Sequence, residues 1–313
     1  MSITTLPRRA GTSKKENAVE ETSDDRFAAA DREASAKARR LRLRRRSLVW
    51  LGRVTFVVLV LGGWELLSGI TLKGADAPII DPFYYSRPTE IVHRTIELFR
   101  DGTSYGSYWF DIFTTMKEAV YGFGIGTALG VVVGVLLGQS GYLADVLGPY
   151  IKMVNAIPRI VLGSIFTVAL GVGVAPKVAL AGVLVFFIVF FNAFQGVREV
   201  DQNILANAKV LGASRLQIVR HVTLPSAFTW IAASLHSAFG FAIVGAIVGE
   251  VLGAQHGLGL IIKTSQNRFD PAGVWACMFV IMVLVLGAEF LIGRLEKRLL
   301  RWRPPSRTES AGL

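Results

Sequence analysis

The strongest constraint on this chain is where its charges are missing. No Asp, Glu, Lys or Arg occurs from Ala119 to Leu137, or from Val178 to Val197. At about 1.5 Å rise per helical residue, each window reaches across a hydrocarbon core of about 30 Å. In water such windows need a large core around them, which the rest of the chain cannot supply. With 52% hydrophobic and 18% charged residues, the composition also falls short of the roughly 25% charge usual in soluble domains. The expected fold is an all-α membrane protein of six transmembrane helices: Leu48–Leu72, Thr114–Gly138, Leu147–Gly171, Lys177–Val197, Pro225–Leu252 and Val274–Leu295.

Three regions follow. Residues 1–47 are polar and mixed in charge, the composition of a disordered or loosely helical tail. The tail ends in the basic block Arg39–Arg46, which lies too far in for a secretory signal and reads as a cytoplasmic anchor. Residues 48–303 form the six-span domain, and residues 304–313 are a C-terminal tail. Between the first two spans, Ser86-Arg87-Pro88-Thr89-Glu90 reads as a turn and helix start, followed by an amphipathic run from Ile91 to Phe99.

The net charge of +11 raises nucleic-acid binding. The basic residues, however, flank apolar spans, which the positive-inside rule explains directly. Arg198, Lys209, Arg215 and Arg220 in one loop, with Arg294, Lys297, Arg298, Arg301 and Arg303 at the end, place both termini in the cytoplasm. The loop 171–176 carries no charge and 253–273 only Lys263, Arg268 and Asp270, so both fall outside. A single cysteine, Cys277, excludes an internal disulfide or a multi-cysteine metal site.

The loop between the fourth and fifth spans carries the most information. Ile204, Ala208 and Leu211 recur at helical spacing, and Gly212 is placed to end that helix in the left-handed conformation. Ser214 with Gln217 is a capping-box pattern for a second helix, whose apolar stripe is Leu216, Val219 and Val222. The expectation is a helix–turn–helix at the cytoplasmic surface, with Pro225 admitting the chain to the fifth span. It is either an amphipathic link or a docking knob for a soluble partner.

This loop resembles the signature of binding-protein-dependent ABC importer permeases, the MetI-like family: Glu-Ala-Ala, three residues, Gly, nine residues, Ile, one residue, Leu-Pro. Ala206, Asn207 and Ala208 occupy the triplet, Gly212 the spaced glycine with Ala213 and Ser214 after it, and Val222, Leu224 and Pro225 the close. Ala206 stands where the family has Glu and Asn207 where it has Ala, which removes any polar contact of that carboxylate. The resemblance extends from about Ser86 to Arg301, which makes about 86–301 the core of the domain. Ala156-Ile157-Pro158-Arg159, Gly196-Val197-Arg198, Leu211-Gly212-Ala213-Ser214 and Leu252-Gly253-Ala254 through Gly257-Leu258-Gly259 look like the branch importing sulfonates, taurine, nitrate and related compounds.

The resemblance implies a permease subunit in a bacterial inner (plasma) membrane, moving a small, anionic solute inward by alternating access. Its partners would be ABC ATPase subunits that seat the coupling loop, a periplasmic or lipid-anchored substrate-binding protein, a second permease copy as homodimer, and membrane lipid. ATP with Mg would sit on the partner ATPase. This chain carries no phosphate-binding glycine–lysine loop, so it binds no cofactor and is not itself an enzyme.

Polar residues within spans are costly, up to about 3 kcal/mol for a mid-helix charge, so each needs a role. Arg159 either snorkels or faces an anion in the pathway. Asn192 and Gln195 either hydrogen-bond between helices or line the pathway, and Glu250 has either an interfacial structural role or a lining one. Gln255 and His256 fall to an outer vestibule or its loop, and a lone His gives no metal site. An ion-coupled transporter more often shows repeated halves, and none is visible. A membrane enzyme would need a catalytic constellation in the spans, and none is visible either. Finally, Gly122, Gly126, Gly130, Gly134 and Gly138 form a ridge along the second span. Close approach of a neighbouring helix is the reason to keep such poor helix formers, so this span is expected to be buried.

Overall fold

The computed structural model describes residues 44–71 and 78–299. The expected tails, apart from Arg44 to Ser47, and residues 72–77 lie outside the described residues, as do Arg301 and Arg303. The chain divides into two units, one ending at Ile70 and one beginning at Thr71. The described part of the first is a single apolar helix, α1 (Arg44–Leu67).

In the second unit the elements are α2 (Pro82–Tyr85), α3 (Pro88–Asp101), α4 (Tyr108–Gln139), α5 (Gly141–Asn155), α6 (Arg159–Leu170), α7 (Val174–Arg198), α8 (Gln202–Val210), α9 (Arg215–Ile218), α10 (Leu224–Gly253), α11 (Leu258–Asn267) and α12 (Pro271–Leu299). Five described helices are long and apolar enough to cross a membrane, or up to six if the bent pair α5–α6 counts as one span.

The core is α4, α7 and α10. The glycine ridge of α4 lies against α7. A Cβ at Gly122 would meet Ala181, one at Gly126 Val185, one at Gly134 Ala193 and one at Gly138 Val197. Residue numbers rise together on both helices, so α4 and α7 run parallel, as two spans separated by one intervening crossing must. Small residues allow this backbone approach, and in lipid the gain is van der Waals contact. Burial is confined to that face: Tyr121, Ile125, Leu129, Val132 and Leu136 on the other side are exposed. The tight packing expected of the glycine ridge is present, and the expectation of a buried second span is corrected to a helix buried on its glycine face.

The α7–α10 pair is antiparallel and as tight. A Cβ at Gly196 would lie 3.0 Å from Ala227 Cα, and one at Gly249 3.0 Å from Lys177 Cα.

The third expected span is not straight. α5 and α6 meet at 85°. Pro158 has no N–H to donate, and a residue before proline disfavours the helical region, so Ile157-Pro158 ends one helix and Arg159 begins the next. α6 then packs in the crease of α7 and α10, where Gly163 abuts Leu180 and Leu252.

Two further expectations change. The stretch 253–273, read as an outer loop, holds α11, whose Leu258 and Ile261 are buried with Tyr108, Ile112 and Cys277. The second hairpin helix is also not separate from the fifth span. Leu216–Gly253 runs as one helix through a π-helical turn at Val219–Thr223. There the Leu224 N–H donates to Val219 O, one residue beyond the usual partner. The wider turn absorbs the bond that Pro225 cannot make, so the proline enters without breaking the helix.

Candidate functional site: an exposed hairpin and a buried polar lock

The hairpin is built by local chemistry. Asp201 caps α8 by accepting from the Asn203 N–H at 2.8 Å. At the other end Gly212 takes φ +79, the Ala213 N–H donates to Ala208 O and the Gly212 N–H to Lys209 O, both at 3.0 Å. This crossed pair of bonds satisfies the last carbonyls of α8 and turns the chain. The Ser214 N–H then donates to Gln217 Oε1 at 2.7 Å, and the Gln217 N–H to Ser214 Oγ at 3.3 Å. That is a reciprocal capping box.

The structure brings Ala206, Asn207, Ala208, Gly212, Ala213 and Ser214 together on this knob, with Val222, Leu224 and Pro225 at its root. Ala208, Ala213, Ile218 and Val222 turn inward, half-buried. Val210 and Leu211 are each 86% exposed and Leu216 is 77% exposed. Of the expected stripe, Val219 and Val222 are half-buried while Leu216 points out. Three large apolar side chains at the tip of a capped hairpin form a sticky surface without a partner inside the described chain.

The expected pathway residues are scattered. Arg159 is exposed and donates to Asn155 Oδ1 at 3.1 Å. The Asn192 amide donates to Ile188 O at 2.8 Å, and Gln195 to Glu199 at 2.7 Å. Both bonds are local, within α7 or to the residue that caps its end, so the expected interhelical hydrogen bonds are not formed there.

Glu250, by contrast, is fully buried. One carboxylate oxygen accepts from Thr115 Oγ1 at 2.7 Å and the other from the Gly259 N–H at 2.6 Å. Thr115 Oγ1 in turn accepts from the Leu258 N–H at 2.9 Å, and Asp111 accepts from the Gly257 N–H at 2.9 Å. Three successive N–H groups at the start of α11, which has no side-chain cap of its own, are thus held by α4 and α10. Helix N-termini leave such donors unsatisfied and favour negative charge, so two carboxylates are the fitting partners. Gly257 is required here: φ is +115, and a Cβ would run into the Glu250 carboxylate.

Behind this lock lies a buried ion pair, with Lys177 Nζ 3.8 Å from Glu118 Oε1 and 3.2 Å from Val172 O. His256 stands at the rim, Nδ1 3.7 Å from Asp111, its ring edge-on to Phe110. Outside the spans, Arg94 of α3 bridges to Asp270 at 3.1 Å and Glu97 at 2.8 Å. The hydrogen bond and charge of Arg94 hold the Glu97 carboxyl below its ordinary range.

Sequence reasoning weighed Glu250 but missed Asp111, Thr115, Glu118 and Lys177. The signal was there: 111, 115, 118 and 122 continue the glycine ridge toward the start of α4 at helical spacing. Among the described residues no group of His, Cys, Asp and Glu could hold a metal ion.

Residues 126–301 match the family described as "Binding-protein-dependent transport system inner membrane component". The chain is 26% identical over 269 residues to the putative aliphatic sulfonates transport permease protein SsuC of Bacillus subtilis, covering 86% of this chain and 94% of that one. It is 26% identical to the riboflavin transport system permease protein RibX of Chloroflexus aurantiacus, over 80% and 90% of the two chains. It is 24% identical to the taurine transport system permease protein TauC of Escherichia coli, over 79% and 90%. Relatives named for a sulfonate, a flavin and taurine thus lie at nearly equal distance, and identity does not select the sulfonate, nitrate and taurine branch. In fold, the chain superposes on the inward-facing MetNI methionine ABC transporter with TM-score 0.52 and 20% identity, covering 60% of this chain and 92% of that one.

Proposed function

This chain belongs to the binding-protein-dependent transport system inner membrane component family, and from that premise we propose that the α8–α9 hairpin is the coupling element through which a separate ATPase drives it. The chain is an ABC-importer permease subunit, a multi-pass membrane protein that moves a small solute by alternating access, and not the ATPase. The finer reading has the hairpin facing the cytoplasm and seated in an ATPase groove. Both termini lie on that side, and a second copy completes the pathway. A substrate-binding protein delivers solute at the opposite face of a bacterial inner membrane.

One observation carries this reading. Leu211 and Leu216 are presented to solvent on a hairpin whose second helix is continuous with α10. A partner gripping the tip therefore pulls directly on a span. Ala206, exposed where the family has Glu, leaves the grip to apolar contact and shape.

For the solute, the motifs shared with the sulfonate, taurine and nitrate branch and the exposed Arg159 beside the α5–α6 break support a small anion.

The test is Gly212→Leu in the assembled transporter. At φ +79 an L side chain costs about 1–2 kcal/mol, and the leucine adds bulk at the tip. Uptake and co-purification of the ATPase should both fall at least tenfold, while membrane insertion is unchanged. Ala206→Ser should be nearly silent. Wild-type uptake by the Gly212 variant at equal expression removes the hairpin from the mechanism. The same uptake assay with taurine, an alkanesulfonate, nitrate and neutral riboflavin tests the solute, and uptake of riboflavin alone overturns the anion.

A further inference from the structure

A wedge between α5 and α7 is left unexplained by the transport reading. It encloses about 250 Å³ and reaches from Leu137 at the end of α4, past Ile151, to Phe190 and Arg198. One wall is aromatic: Phe190 stacks on Phe186 at 5.6 Å and on Phe194 at 6.0 Å, which makes that face of α7 stiff. The mouth is charged. Lys152 and Arg198 line it, opposed by the single carboxylate of Asp145. The Arg198 guanidinium rests 5.4 Å from the Phe194 ring centroid, and neither cation is in an ion pair among the described residues.

A pocket that is apolar in its depth and cationic at its mouth, at the end of the bundle from which the hairpin projects, matches an amphiphile with an anionic head. We propose that this wedge binds an anionic phospholipid, with the phosphate between Lys152 and Arg198 and an acyl chain along Phe190 and Ile151. Basic pockets between spans have the right chemistry for such heads, each cation near the surface strengthening the attraction about fivefold. An acyl chain fills the angle that the bend at Pro158 opens between α5 and its neighbours. The proposal is independent of which solute is carried and of the hairpin.

The test uses the full-length protein purified in a zwitterionic detergent and titrated with phosphatidylglycerol or phosphatidylcholine, with bound lipid counted by native mass spectrometry. Phosphatidylglycerol should bind at least fivefold more tightly than phosphatidylcholine. Lys152→Gln and Arg198→Gln should each weaken it about fivefold, and the double variant about 25-fold. Lys117→Gln, a cation at the other end of α4, should leave it unchanged, which guards against a general charge effect. Equal binding of the two lipids, or wild-type binding by the double variant, overturns the proposal. So does efficient disulfide formation between copies carrying Asp145→Cys in a Cys277→Ser background, because a second subunit then covers the wedge.

Discussion

Two glycines six residues apart on α4 should respond to the same substitution in opposite directions. At Gly130 a new Cβ would lie 2.9 Å from Phe186 O and 3.0 Å from both Phe190 N and Val189 Cβ. Two of those three atoms are backbone and cannot turn away. Ordinary contacts sit at about 3.5–4.0 Å, so Gly130→Ala must push α4 and α7 apart by about 0.5–1 Å along the whole ridge. At Gly124 a Cβ meets nothing within 4 Å. Both sites are mid-helix, so the gain of about 1 kcal/mol for replacing glycine by alanine cancels in the comparison. What remains is overpacking, about 1–3 kcal/mol. On the scaling of soluble domains this separates the two melting temperatures by ~2–12 °C, with the Gly124 variant higher. Thermal unfolding of the two variants in one detergent measures it directly. Gly130→Leu should enlarge the gap and lower transport, while Val132→Leu, on the exposed face, should be mild. Val131 is a poor control, since it packs against the core. Equal melting of the two alanine variants would refute the reasoning and put lipid, not α7, against the ridge.

In a Cys277→Ser background, a thiol probe at Ser214 should react only from the cytoplasm and one at Gln266 only from outside, since both positions are exposed. Ser265, its neighbour on α11, is buried at 6% and should label poorly from either side. Reversed labelling of Ser214 and Gln266 overturns the orientation. Thr115→Val keeps the shape of the side chain but strips a donor from Glu250 and an acceptor from Leu258. Each buried group left unpaired costs about 1–3 kcal/mol, so detergent stability should fall clearly while Thr114→Val, on an outward-turned hydroxyl bonded only to Phe110 O, should change little.

What the sequence revealed followed the reach of each physical signal. Helix-length apolar windows located the crossings, because a bilayer imposes length and forbids charge on any lipid-facing helix. The hairpin turn was legible at Gly212, Ser214 and Gln217 because capping is decided by residues within one turn of each other. The break inside the third span was missed although Pro158 marked it, because hydropathy averages over the bend. α11 was missed for the opposite reason. A helix that short, with its N-terminus uncapped by its own residues, carries little local signal. Its stability comes from Asp111, Thr115 and Glu250, which are distant in sequence. Gly257, with its positive φ, was visible as a glycine but not as the point where a carboxylate passes.

If the hairpin is the coupling element, as proposed, the glycine positions bear on how a pull there reaches the pathway. The hairpin is rooted in α7 at one end and is continuous with α10 at the other. Near that root Gly196 meets Ala227 and Trp230, and toward the far end Gly245 meets Ala181 and Gly249 meets Lys177. Contacts between backbones leave no side chain to repack, so sliding one helix past the other would require opening the interface first. α4 is held against α7 in the same way along its ridge. The trio therefore answers a displacement as one body, and close packing of this kind transmits movement without absorbing it. Backbone that departs from the regular α-helix lies beside the trio, at the 85° junction of α5 and α6, and at its foot, in the π-helical turn Val219–Thr223. On the proposed coupling role, the bending of alternating access is expected at the α5–α6 junction, while α11 follows α4 and α10 because their side chains hold its first three N–H groups.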